Sequence, residues 1–233
     1  MLAFGDSITN GGGELQWGVA LQSWAQWVAR GLGLPYTGYA TDGARVADVV
    51  GEQIPAFRRR SPRPDARYEL GCLYIGVNDV RAVEWDAPAF EAAFREAIGF
   101  LAGRCERVLA LTAPLDLGRP RAGEKVRDLN AVVCSAASDT GALVLDLSDF
   151  GARNLVMADH VHPTAFGQIA IAERALDVLA RDGVEPAVRP STLISYETTR
   201  WKRLRGDATY AYRHLKVSAR SAFIRGVAGR HPN

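Results

Sequence analysis

Short runs of consecutive apolar residues alternate along this chain with longer stretches in which apolar residues recur every three or four positions. Runs of the first kind lie at 2–4, 70–75, 108–111 and 143–147, and they have the length and continuity of strands buried on both faces; a weaker strand pattern lies around Tyr36–Tyr39. Stretches of the second kind cover 17–33, 45–59, 88–102, 124–138 and 163–181, which is helical spacing. Trp17, Ala20, Leu21, Trp24, Trp27 and Val28 form the most apolar stripe, read here as core packing, with Gly31 and Gly33 closing the helix. Strands separated by helical segments of this length predict a parallel sheet with helices on both faces. The expected domain is therefore a three-layer α/β/α sandwich over residues 1–183, with a Pro-rich surface connection at 61–64 and a separate C-terminal extension over 184–233. No run approaches the 18 apolar residues of a membrane-spanning helix.

Chemistry concentrates where these strands should end. Phe4-Gly5-Asp6-Ser7-Ile8-Thr9 carries the first strand into a helical pattern, which sets the Ser7 hydroxyl at a strand's C-terminal end and a helix's N-terminal end. Strand ends line ligand crevices in such sheets, and helix N-termini favour developing negative charge. An Asp-Ser pair before a helix is also an ordinary cap, so the hexapeptide alone does not decide. Three further patterns follow later strands: Asp42-Gly43-Ala44, Gly76-Val77-Asn78-Asp79 and Asp159-His160-Val161-His162-Pro163. In a parallel sheet the loops after the strands gather at one edge.

Ester cleavage needs what these loops hold. A serine hydroxyl attacks only when a histidine takes its proton, and the histidine needs an acid to fix its tautomer. Asp159 and His162 are three apart, and Pro163 suits the first position of the next helix. The oxyanion then needs donors, for which the Ser7 and Gly43 backbone N–H groups and the Asn78 amide are candidates. Each residue also has a plainer role. Asp159 with His162 reads as a cap beside a surface histidine, and Asn78-Asp79 as a turn. Asp6 and Asp79 read as structural braces, and Asp116 as a solvent-facing loop residue. A metal shared by His160 and His162 has one nearby carboxylate and no further histidine cluster to complete it.

Taken together, Gly5-Asp6-Ser7, Gly43, Gly76-x-Asn78-Asp79 and Asp159-x-x-His162 resemble the four blocks of the SGNH (GDSL-type) hydrolases, in order, across most of residues 2–183. The resemblance implies a flavodoxin-like sandwich with a five-stranded parallel sheet and a serine esterase or lipase-like activity, with no cofactor and no metal. It implies Ser7 as nucleophile, His162 as base and then acid, Asp159 as its orienting carboxylate, and Gly43 and Asn78 as oxyanion donors. The expected substrate is a small-molecule ester: a small acyl, lysolipid or sugar ester. Acyl transfer to an alcohol uses the same groups, and a non-catalytic binding protein is the alternative from another class. Two positions depart from the family pattern. Ile8 replaces the leucine of the name-giving motif, and Gly38 stands where many members carry an asparagine five positions before the oxyanion glycine. The glycine-x-serine-x-glycine elbow of the α/β-hydrolases is absent.

Charge adds one feature. Net charge is +2, but residues 190–233 hold nine Lys or Arg and two acids, so the first 189 residues carry −5. Apolar positions Tyr212, Leu215, Ala219, Phe223 and Val227 predict an amphipathic helix over 208–227. Such a helix suits an anionic membrane surface, nucleic acid, or packing on its own domain. Packing through Trp201, Tyr210 and Phe223 with a solvated basic face is the preferred expectation, an anionic membrane surface the next, and nucleic acid is not expected; oligomeric state is left open. Cys72, Cys105 and Cys134 are odd in number and without a CxxC pair, which, with no visible secretory leader, predicts reduced thiols in a cytoplasmic protein.

Overall fold

The computed structural model describes residues 1–61, 65–118, 122–152, 154–196, 198–201, 204–213 and 215–216. Five strands, β1 (Leu2–Gly5), β2 (Thr37–Gly38), β3 (Tyr68–Tyr74), β4 (Cys105–Leu111) and β5 (Leu143–Leu145), form one sheet in the order β2-β1-β3-β4-β5. Every pairing is parallel, with Ala3 opposite Cys72, Cys72 opposite Leu109, and Leu109 opposite Leu143. Buried apolar side chains fill β1 and the inner part of β3 and β4, because helices cover both sheet faces. Helices α2 (Trp24–Leu32) and α8 (Ala165–Arg181) pack on each other on one side. On the other, α6 (Ala87–Arg104) packs against α7 (Gly123–Thr140) and the helical run from Val46 to Arg60. This is the sandwich of the SGNH hydrolases, as expected.

Local departures have local causes. The helix expected over 17–33 begins only at Trp24, because Ser23 and Gln26 close a reciprocal capping box there. Trp17 takes a left-handed φ of 50° and Gly18 one of 85°, so residues 17–18 leave the helix. The Trp17 ring instead stacks on Tyr196 and leans on Phe166. Trp24 and Trp27 are buried as expected. The run over 45–59 is helical in three pieces, α3 (Val46–Asp48), a π-turn (Val49–Gln53) and α4 (Ile54–Arg60). The wide turn ends two residues before Pro55, which has no N–H to continue an α-helical ladder. Pro163 does not open the last helix. It bridges Val156, and Thr164 caps α8 through Gly167 N–H.

Two short helices sit at the sheet's C-terminal edge: α1 (Ser7–Asn10) after β1 and α5 (Val77–Arg81) after β3. Among the described residues no helix is long and apolar enough to cross a membrane. The extension is helical at 200–201, 204–213 and 215–216. Its packing differs from expectation: Trp201 is 76% exposed, whereas Tyr210 is partly buried. The expected positions Ala219, Phe223 and Val227, like the Pro-rich link at 62–64, lie outside the described residues. Cys72 and Cys105 are buried and Cys134 is exposed.

Candidate active site

The chain turns sharply from β1 into α1, and Asp6 makes that corner. Its buried carboxylate accepts the Ile8 N–H at 2.9 Å, capping α1 and leaving Ser7 as the helix's first residue at the open edge. At the far end of the sequence a tight loop folds around Asp159. One carboxylate oxygen accepts the N–H groups of Val161 and His162 at 2.9 and 3.0 Å. The other oxygen lies 2.6 Å from His162 Nδ1, and His162 Nε2 lies 2.9 Å from Ser7 Oγ. Residues 155 positions apart in sequence thus meet in one hydrogen-bonded line. Gly12 allows the approach. A Cβ there would fall 2.8 Å from Ser7 O and 3.1 Å from the His162 ring.

The loop after β2 forms the opposite wall. Gly43 has φ of 77°, a left-handed turn that other residues adopt only with strain. Three ties hold this loop. Asn78 Nδ2 donates to Ala44 O at 3.0 Å, the Asp79 carboxylate accepts the Val46 N–H at 3.3 Å, and Asn10 Nδ2 donates to Asp42 at 2.9 Å. A Cβ at position 38 would meet Tyr36 Oη at 2.5 Å, so a side chain there requires the Tyr36 ring to shift. Ser7, Gly43, Asn78 and His162 all line one open cleft of about 430 Å³, together with Met157. Asp159 stands behind His162.

Electrostatics follow from burial and partners. Burial pushes the Asp159 carboxyl up, but the His162 ring N–H and the two backbone N–H groups outweigh it and hold it at about 2. The bond to Asp159 raises the His162 pKa above the ordinary imidazole value, against the opposing effect of burial. Burial lifts Asp6 to about 7 and Asp79 to about 6. Both keep backbone donors, as braces do. His160 Nδ1 lies 3.4 Å from Asp116, whereas His162 pairs with Asp159, so the two imidazoles have separate carboxylates. Among the described residues no group of three or more His, Cys, Asp or Glu is arranged to hold a metal.

Two glutamines that sequence reasoning passed over lock this edge. Gln53 accepts the Gly5 N–H at 3.1 Å and donates to Gly5 O at 2.7 Å and Thr41 Oγ1 at 3.2 Å. Gln168 accepts the Trp24 N–H at 2.7 Å and donates to Ile8 O and Gly12 O at 3.0 and 3.1 Å. Both are buried. Their signal in the sequence is an amide on the apolar stripe of an amphipathic helix, where an unpartnered amide would be costly.

A sequence model of the GDSL-like lipase/acylhydrolase family matches residues 3–169, and the chain belongs to that family. It is accordingly a hydrolase acting on esters. No curated protein sequence matches it. Among solved structures it is similar to LAE5, an α/β hydrolase from the metagenome of Lake Arreo, Spain, with 17% identity over 77% of this chain and 94% of that one and a TM-score of 0.62. It is similar also to the acetylxylan esterase Axe2 from Geobacillus stearothermophilus, at 21% identity over 76% and 92% of the two chains and a TM-score of 0.58. TesA aligns over 77% of this chain and 97% of its own, at 19% identity and a TM-score of 0.58. At such identities the likeness establishes the fold.

Proposed function

We propose that this protein hydrolyses small-acyl carboxylic esters through an acyl-enzyme on Ser7. The observation that carries the reading is the continuous line from Ser7 Oγ through both His162 nitrogens to Asp159, at 2.9 and 2.6 Å. With its Nδ1 proton held by Asp159, His162 presents Nε2 as an acceptor. It takes the Ser7 proton as Oγ attacks the ester carbonyl carbon. The negative charge that develops on the carbonyl oxygen meets the N–H groups of Ser7 and Gly43 and the Asn78 amide, whose second N–H is left over from its bond to Ala44 O. The tetrahedral intermediate collapses, the ester C–O bond breaks, and His162 returns the proton to the leaving alcohol. Water then repeats the sequence against the acyl-enzyme, releasing the acid and restoring Ser7. An open cleft of about 430 Å³ suits a short acyl group on a larger alcohol. The acetylxylan esterases of similar fold make an acetylated sugar a natural first substrate to assay.

A fluorophosphonate label followed by peptide mapping tests the assignment: modification should fall on Ser7, and modification elsewhere with Ser7 untouched would refute it. Asn78→Ala should cost on the order of 10²–10³ in kcat with KM little changed, because the donor acts on charge formed after binding. A loss confined to KM would move Asn78 out of the oxyanion role.

The pH profile has a defined sign. Only neutral imidazole accepts the serine proton, so kcat/KM should fall as pH drops through the His162 pKa. Because Asp159 raises that pKa, the acidic limb should lie above the ordinary imidazole range, and in Asp159→Asn it should move to lower pH. A limb set near pH 4 would point to a carboxylate as the titrating group instead.

A further inference from the structure

The extension has two faces, and the sandwich uses only one of them. Arg205, Gly206, Thr209, Tyr210 and Arg213 recur at i, i+1, i+4, i+5 and i+8 and turn inward. They line a cleft of about 570 Å³ with the loops of Trp17 and Met157. Arg213 also pairs with Glu14. Met157 belongs to the Ser7 cleft as well, so the helix stands beside the mouth of the candidate active site.

The other face is apolar and turned to solvent. Leu204, Ala208, Ala211 and Tyr212 follow at i, i+4, i+7 and i+8, which sets these four on one stripe about 100° wide, with Trp201 before it and Leu215 after it in sequence. Trp201 is 76% exposed, Leu204 58%, Tyr212 66% and Leu215 68%. A soluble domain rarely leaves so many large apolar groups in one line without a use. Exposed Arg200 and Lys216 accompany the stripe, and Arg205, also exposed, stands where the two faces meet.

We infer that this outward stripe is a docking surface for an anionic lipid bilayer. The apolar side chains enter the boundary between headgroups and acyl chains, the Trp and Tyr rings sit at that boundary, and the basic residues meet anionic headgroups. Charge selects this occupant over a second copy of the chain. Residues 190–233 carry +7, so two such extensions laid together repel, whereas a lipid surface of opposite sign attracts. The docking is independent of Ser7 chemistry.

Co-sedimentation of the full chain with vesicles tests this, using phosphatidylglycerol mixed with phosphatidylcholine against phosphatidylcholine alone. The anionic vesicles should bind at least tenfold more protein, and raising the salt from low to several hundred millimolar should remove most of that advantage. The double variant Leu204→Glu with Leu215→Glu should lose tenfold or more of the partitioning while keeping the wild-type thermal transition. Ser7→Ala should bind as the wild type does, which separates this result from the esterase reading. Equal binding to neutral and anionic vesicles, no binding to either, or an undiminished double variant would overturn the proposal. So would a concentration-dependent dimer that the double variant dissolves while vesicles are ignored, since a second copy would then cover the stripe.

Discussion

Ser7→Ala is expected to lower kcat for a chromogenic short-acyl ester by 10³-fold or more, on the order of 10³–10⁶ as for other serine hydrolases with a histidine base. The change removes the one atom that forms the covalent bond. The donors around it remain, so the residual rate measures what oxyanion stabilisation and binding achieve without a nucleophile. KM should move little, because the hydroxyl is small and its partner is His162 rather than substrate. The fold should persist. The cap of α1 is the Asp6 carboxylate on Ile8 N–H, and alanine at the first helical position keeps that bond. Thermal unfolding beside the assay distinguishes loss of chemistry from loss of structure. A variant with a wild-type transition and more than a tenth of the activity would remove Ser7 from the mechanism.

The centre of the sheet was legible because β3 and β4 are buried over most of their length, so 70–75 and 108–111 read as unbroken apolar runs, whereas the edge strand β2 is two residues long and partly exposed. The longest helices, α6 and α7, were also readable, since amphipathic spacing there persists for four or more turns. Residues 17–23 misled for a physical reason. Trp17, Ala20 and Leu21 keep helical spacing with Trp24 and Trp27, yet the Trp17 ring is taken by Phe166 and Tyr196, partners that no local pattern announces. The site divides in the same way. Ser7, Gly43 and Asn78 converge because parallel strands collect the loops after them at one edge, and the turn folded around Asp159 brings His162 to the same place. Gln53 and Gln168 escaped notice because an amide has no distinctive chemistry until its distant backbone partners are known. The extension shows the limit most clearly. A period of 3.6 reveals an apolar stripe, but which face docks depends on contacts such as Arg213 with Glu14, nearly two hundred residues away in sequence.

Asp159→Asn should be nearly as damaging as loss of the nucleophile, with kcat down about 10⁴-fold near neutral pH. Asparagine matches aspartate in shape, and its oxygen can still accept the Val161 and His162 backbone N–H groups that fold the loop. Its amide, however, would face His162 Nδ1 with a donor. The ring then favours the tautomer with its proton on Nε2, and Nε2 can no longer accept from Ser7. The carboxylate is also the main cause of the raised His162 pKa, so in the variant that pKa should fall towards the ordinary imidazole value, measurable by NMR titration of the ring protons. Stability carries its own signs. Asp159 is depressed to about 2, so its contribution is complete above the usual carboxylate range and disappears as pH falls through about 2. The contribution of protonated His162 is present below its unfolded pKa and is lost as pH rises through the folded one. Near neutral pH the Asp159 contribution is complete, so the variant should lose it in full there, and thermal unfolding measured beside the assay separates that loss from the chemical defect. A kcat within tenfold of wild type, with the His162 titration shifted as expected, would mean that the carboxylate positions the loop and leaves the tautomer to some other group.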